Sequence, residues 1–226
     1  NVAKGFEKDS GRLLSDVINE ALPEAQVAVL SGPSHAEEVA RNLPTTVVAA
    51  CHDIAVAERI QELLSTENFR IYTNNDVTGV EIGGALKNVI AVCSGICEGL
   101  GLGDNTRAAL MTRGLNEKTR LGTEMGASEH TFLGLSGIGD LIVTCLSIHS
   151  RNNRFGRFVG GGMPIKEALQ AVGTVEGYYA AAHAHSLAAL YGVEMPIIEQ
   201  CYEILYKNKS ARDAIDTLLG RPLRTE

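Results

Sequence analysis

The residue with the clearest chemical potential is Lys87. It stands in the stretch from Val80 to Gly103, and between Glu81 and Glu98 it is the only acidic or basic side chain. A helix that is apolar on nearly every side is one that a folded protein buries. No carboxylate lies three or four residues away to pair with the lysine. Its helical neighbours are Gly83, Gly84, Ile90 and Ala91, small or apolar, and the two glycines leave room for a ligand or another backbone. Burial without a counter-ion disfavours the ammonium form and lowers the pKa, which makes a lysine usable as a proton donor and acceptor. Asn88, one step round the helix, is placed to hold a substrate oxygen. The plainer alternative is a stem that runs along the core and a head that reaches water at its edge. For a membrane span the segment falls short of the ~20 apolar residues needed and carries a charge at its centre.

Two further clusters could handle anions. Gly137-Ile138-Gly139-Asp140-Leu141 puts an acid after a glycine turn at the start of an apolar helix, where its simplest use is as an N-cap. In His149-Ser150-Arg151-Asn152-Asn153-Arg154, Ser150 suits a cap, with Arg151 and Asn152 in the first turn. A cation has the wrong sign for a helix N-terminus. Arg151 makes sense there if an anion sits between its fork and the free backbone amides, the alternative being a solvated basic turn. The glycine runs at 99–103 and 134–139 look like phosphate loops, yet neither completes G-x-G-x-x-G nor follows an expected strand. Gly160-Gly161-Gly162 reads as a plain linker.

These groups need a scaffold, and composition narrows it. With 45% hydrophobic residues, no tryptophan and 5% aromatics, the core must be aliphatic, which suits helices and parallel sheet better than a β-sandwich. A net charge of −7 argues against nucleic acid as a partner, since that needs a basic face. The five cysteines follow no zinc or disulfide spacing, so a reduced, cytoplasmic location is expected. His183 and His185 point about 200° apart on a helix, too far to share a metal.

Along the chain, strands are expected at 2–5, 26–30, 45–51 and 69–73, with helices at 11–22 and 54–65. Ser34 and Glu37 complete an S-x-x-E capping box for another helix. Such alternation implies a parallel α/β sheet. After Asn74-Asn75-Asp76 the pattern turns helical, roughly at 77–98, 104–125, 139–147, 151–159, 164–171, 175–191, 195–207 and 210–219. The fold class expected is therefore α/β, the remnant of a Rossmann-like parallel sheet (1–76) followed by an all-α domain (77–226).

Several blocks, in order over essentially the whole chain, resemble the NAD(P)-dependent glycerol-3-phosphate dehydrogenases of bacteria. They are Lys4-Gly5-Phe6-Glu7, the run Leu30 to Glu38, Gly79-Val80-Glu81 with Gly84 to Val89, Gly103-Asp104-Asn105, Gly134 to Leu141, and Ser150-Arg151-Asn152. The resemblance implies reversible hydride transfer between NAD or NADP and dihydroxyacetone phosphate, giving sn-glycerol 3-phosphate for glycerophospholipid synthesis. By the same resemblance Lys87 is the general acid/base at the C2 oxygen, with Lys4 and Asp140 lining its site. Gly32 and Ser34 belong to the substrate loop. Ser150, Arg151 and Asn152 form the phosphate end, and Ala36, Arg151 and Glu176 reach the cofactor. Thr174 departs from the valine usual there. A homodimer through the apolar helical half is expected. The rivals are a carboxylate-substrate dehydrogenase of the 3-hydroxyisobutyrate or 6-phosphogluconate type, and a non-catalytic helical module for dimerisation or ligand binding.

The resemblance also implies about a hundred residues before Asn1, holding the G-x-G-x-x-G turn and adenosine pocket. The 226-residue chain is therefore expected to show no dehydrogenase turnover by itself, and turnover comparable to that of the intact enzyme would refute this.

Overall fold

The structure, a computed structural model, describes residues 1–223 and 225. Its first part holds α1 (Leu14–Ala21), β1 (Val29–Ser31), α2 (Ala36–Ala40), β2 (Thr45–Ala50), α3 (Ile54–Leu64) and β3 (Phe69–Asn74). The second part is helical: α4 (Val77–Gly99), α5 (Asp104–Glu124), a 3-10 turn (Glu129–Leu133), a π turn (Leu135–Gly139), α6 (Asp140–Leu146), α7 (Arg151–Gly160), α8 (Ile165–Val172), α9 (Glu176–Tyr191), α10 (Pro196–Lys207) and α11 (Ala211–Leu219). The helical expectations fall within a residue or so of these bounds. The early ones shift more. Gly11 sits at φ 71°, a left-handed conformation that helix cannot include, so α1 begins only at Leu14. Residues 2–5 form no strand; instead the backbone oxygen of Asn1 accepts the Leu30 N–H at 2.8 Å, laying the chain start beside β1.

The sheet runs β1-β2-β3. β2 and β3 are parallel, registered from Thr45↔Phe69 to Ala50↔Asn74, as expected for strands joined through a helix. β1 is the exception: it pairs antiparallel with β2, Val29 facing Ala50. The five-residue α2 turns the chain back rather than carrying it across the sheet face.

α4 is the axis of the helical part, and every residue from Val77 to Cys97 except Thr78 is buried. At 23 residues it is long and apolar enough to cross a membrane, so the length argument from sequence does not hold. What assigns it to the protein core is the shell of helices around it, which buries the whole apolar window. Its start is fixed by Asp76, whose carboxylate accepts the Gly79 N–H (2.8 Å), the Ser128 N–H (2.9 Å) and the Thr131 hydroxyl (2.6 Å). A cap of this kind satisfies donors that the first helical turn leaves open. Further along, Glu81 is buried and accepts from the backbone and hydroxyl of Ser15, tying α1 to α4.

The tightest contact is between α4 and α7, and glycine makes it possible. A side chain on Gly95 or Gly99 would run into the backbone of Asn153 or Arg157, and one on Gly156 or Gly160 into that of Val92 or Ile96. Gly160 is thus part of a packed interface, not of a linker. Glu117 of α5 closes the far side, accepting the N–H groups of Ile197 (2.8 Å) and Ile198 (3.2 Å) at the start of α10. Burial pushes its carboxyl up to about 7 against the pull of those bonds.

Gly95→Ala tests the interface. In an open helix alanine stabilises by about 1 kcal/mol over glycine, whereas overpacking costs about 1–3 kcal/mol. Here the obstacle is backbone, which cannot swing aside, so urea unfolding is expected to show net destabilisation; a gain in stability would mean that the two helices separate freely.

Candidate active site

Lys87 projects from the middle of α4 and is only 6% exposed, which excludes the reading with its head in water. It is not unpaired either. Its Nζ donates to Asp140 Oδ1 and to Thr144 Oγ1, both at 2.8 Å. The counter-ion that helical spacing could not supply arrives from α6, 53 residues along the chain. The other carboxylate oxygen of Asp140 accepts from Lys4 Nζ at 2.8 Å. One buried carboxylate, 1% exposed, therefore serves two ammonium groups. Asp140 is the first residue of α6 and makes no capping bond, so its reading as an N-cap is replaced by this one.

Burial is the largest influence on Lys87 and lowers its pKa to about 8; Asp140 opposes the shift and Lys4 adds to it. The amine is thus kept where a modest change in surroundings adds or removes its proton.

Around this pair lies a cleft of about 470 Å³ lined by Lys4, Ser34, Ala36, Lys87, Asp140 and Arg151, with His35, Glu37 and His149 completing the rim. Gly32 contributes its carbonyl, which accepts from Lys4 Nζ at 2.6 Å, from a backbone at φ 129° that glycine alone tolerates well. Ser34 does not form the expected capping box; its hydroxyl donates to Gly32 O and accepts from Lys4, leaving α2 with no side-chain cap. Ser150 does cap α7, accepting the Asn153 N–H at 3.2 Å.

Asn88 is committed to the protein rather than free for substrate. It accepts from Asn152 Nδ2 at 3.0 Å and donates to the Lys4 carbonyl at 3.3 Å, while Asn152 Oδ1 accepts the Gly177 N–H at 2.9 Å. Ser150 and Asn152 thus stand behind the cleft and brace it. Glu176 does not line it; its carboxylate lies beside Gly5, one residue from Lys4. Among the polar residues that sequence reading missed, Thr144 is the one bonded to Lys87. Its signal was the i+4 spacing from Asp140, which puts both on one face of α6.

Two buried polar atoms near the cleft, Ser31 Oγ and His35 Nε2, have no hydrogen-bond partner among the described residues. The Ser31 hydroxyl lies where a side chain on Gly84 would touch it, beside the Lys4 stem. Open polar atoms of this kind, with an arginine and two lysines, fit the polar, anionic NAD or NADP that the sequence resemblance implies. No group of three or more His, Cys, Asp or Glu able to hold a metal occurs among the described residues.

A desolvated amine sharing a carboxylate, open to a cleft with an arginine at its rim, is the equipment of an acid–base enzyme for an anionic substrate. Comparison with known proteins supplies the particular family. A family model described as NAD-dependent glycerol-3-phosphate dehydrogenase C-terminus matches residues 76–216, and its N-terminus counterpart matches residues 1–57. Glycerol-3-phosphate dehydrogenase, NAD(P)+, of Desulfitobacterium hafniense is 51% identical over 227 residues, covering 100% of this chain and 64% of that protein. The same enzyme of Clostridium perfringens is 50% identical, with 100% and 69% covered. The crystal structure of glycerol-3-phosphate dehydrogenase from Coxiella burnetii superposes with a TM-score of 0.93 at 44% identity, over 97% of this chain and 68% of that one. The chain belongs to the NAD-dependent glycerol-3-phosphate dehydrogenase family, and it spans about two thirds of the length of these relatives.

The shared carboxylate can be tested directly. Lys87 has a folded pKa below its unfolded value, so between about 8 and 10.5 the unfolded chain holds more protons and stability rises with pH. Asp140→Asn removes the only carboxylate bonded to either amine among the described residues, and breaking a buried pair costs about 3 kcal/mol. Denaturant titration is expected to show this loss at pH 7, shrinking towards pH 10 as the Lys87 amine becomes neutral. A loss that does not depend on pH would mean the ion pairs are not its source.

Proposed function

We propose that this chain carries the acid–base and substrate-binding half of an NAD(P)-dependent glycerol-3-phosphate dehydrogenase, interconverting dihydroxyacetone phosphate and sn-glycerol 3-phosphate. Residues 1–76 would be the later part of the dinucleotide-binding unit and residues 77–226 the catalytic helical unit. The observation that carries the reading is that Lys87 and Arg151 line one cleft, which offers an acid/base for a ketone and a guanidinium for its phosphate.

The bound nicotinamide supplies or accepts the hydride. The chain's own residues handle the proton and the charge. In reduction the C2 carbonyl carbon gains the hydride and the oxygen gains negative charge; the Lys87 ammonium, held by Asp140 and Thr144, hands that oxygen its proton. In oxidation the neutral amine takes the proton from the C2 hydroxyl. Lys4 pairs with the other oxygen of Asp140 and lines the same cleft. Arg151, with Ser150 and Asn152 setting the start of α7, receives the phosphate. Gly32 and Ser34 shape the substrate loop, and Ala36, Arg151 and Glu176 meet the cofactor. Use of the product in glycerophospholipid synthesis, a cytoplasmic location and a homodimer belong to the same proposal. The five free, buried cysteines suit a reducing compartment.

In the enzyme with its dinucleotide-binding residues in place, Lys87→Met is expected to lower kcat by roughly 10²–10⁴ while leaving the fold intact. Arg151→Ala is expected to raise KM for the phosphate substrate about tenfold or more, since a charge-assisted hydrogen bond contributes about 1.5–3 kcal/mol, with a smaller effect on kcat. Steady-state kinetics decide: normal values for both variants favour the non-catalytic module, and protection by carboxylate rather than phosphate substrates favours the related dehydrogenases.

A further inference from the structure

Lys118 of α5 is fully buried, 0% exposed, and belongs to no ion pair among the described residues. Its Nζ donates to the carbonyl of Gly137 at 2.9 Å, the middle residue of the π turn that leads into α6. The same carbonyl accepts the backbone N–H of Asp140. One oxygen thus connects the buried amine to the residue whose carboxylate holds Lys87 and Lys4.

The turn has little freedom on its other sides. A side chain on Gly83 of α4 would come within 2.7 Å of the Ser136 carbonyl, and one on Gly137 would strike the backbone of Phe132. The turn is therefore wedged between α4 and the 3-10 turn, and Lys118 closes the remaining side. π turns recur at functional sites, and Lys118 gives the buried Gly137 carbonyl a second donor beside the Asp140 N–H. A buried lysine is a costly way to fill an apolar gap that methionine fills without desolvating an amine. Its presence is explained if the hydrogen bond does something that packing cannot.

We propose that Lys118 is a positioning residue for the reaction, holding the turn at 135–139 so that Asp140 stays aimed at Lys87. This rests on Lys87 being the acid/base. Among the described residues the titratable groups that act electrostatically on the Lys118 amine are Asp140 and Cys145 of α6 and Lys87 of α4. Burial lowers its pKa to about 7, Asp140 opposing and Lys87 reinforcing the shift, so it becomes neutral before Lys87 does. Either form donates to a carbonyl, and the strut works on both sides of neutrality. In the neighbourhood of pH 8 its charge contributes little to Lys87.

The test is Lys118→Met, with Lys118→Leu as a second variant in case the first does not fold. The titration midpoint of Lys87 is read from the carbon signal of its labelled Cε, identified by its loss in Lys87→Met. If Asp140 slackens, Lys87 loses a stabilising partner and its midpoint falls, by about half a unit or more. In the enzyme with its dinucleotide-binding residues in place, kcat is expected to fall roughly tenfold to a hundredfold, with KM for the phosphate substrate unchanged because Arg151 is untouched. A wild-type midpoint in a folded variant overturns the inference whatever the turnover. An upward shift also overturns it, since the amine would then act only as a like charge. Failure of the acid/base reading itself would appear separately, as normal kcat in Lys87→Met.

Discussion

A single carboxylate in a nearly dry place must balance two ammonium groups, and much of the molecule follows from that. Asp140 cannot be left alone, because an isolated buried charge costs several kcal/mol. Nor can Lys87, which α4 holds in an almost wholly apolar setting. The two meet at 2.8 Å, and Lys4 takes the second carboxylate oxygen at the same distance. Three distant segments, the chain start, α4 and the turn into α6, are thereby committed to one geometry. The compensation is partial: one negative charge against two positive ones leaves the site electropositive within a protein of net charge −7. An anion completes it.

The surrounding packing serves the same end by excluding water. Lys87 has a lowered pKa only if α4 is sealed along its length, and sealing it on the α7 side requires backbones closer than side chains permit. The glycines at 95, 99, 156 and 160 provide that approach. The polar groups near the site are joined rather than scattered: Asn88 links Asn152 to the Lys4 carbonyl, and Asn152 links onward to the start of α9 through Gly177. A network of satisfied amides of this sort rigidifies what it touches. Lys87, Asp140 and Arg151 are thus placed by helices and their termini, whereas Lys4 and the Gly32–Ser34 stretch come from irregular chain.

Much of this could be read from the sequence, for reasons that can be named. The helical half was legible because its apolar periodicity is strong and its ends carry capping signals such as Ser150. The chemistry of Lys87 was legible because a charge in an apolar helix stands out. Its partner was not, since an ion pair between residues 87 and 140 has no local signature; only resemblance brought Asp140 to the site. Ser34 misled because its hydroxyl fits two uses, and a tertiary lysine outcompeted the local cap. The antiparallel β1 was missed because alternation of elements says nothing about the direction a short connection takes. Lys118 was hidden most completely. On a largely polar α5 it reads as one more solvated cation, and only the fold shows that it points inward.

Lys118 and its neighbour Glu117 show how the fold divides its expenditure on buried charge. Adjacent in sequence, they leave α5 in different directions. Glu117 satisfies the first amides of α10, and Lys118 reaches the turn before α6. In both cases a side chain on a regular helix bonds to an irregular or terminal piece of backbone and holds it in place. Each is pushed towards neutrality by burial, which reduces the desolvation cost without removing the hydrogen bonds. The difference lies in what each supports. A helix start held by Glu117 matters to the core, whereas the turn held by Lys118 carries Asp140 and therefore sets the proton affinity of Lys87. The stability lost by burying a lysine behind the site is repaid in the precision with which one carboxylate is aimed, and the proposed acid–base role of Lys87 demands that precision.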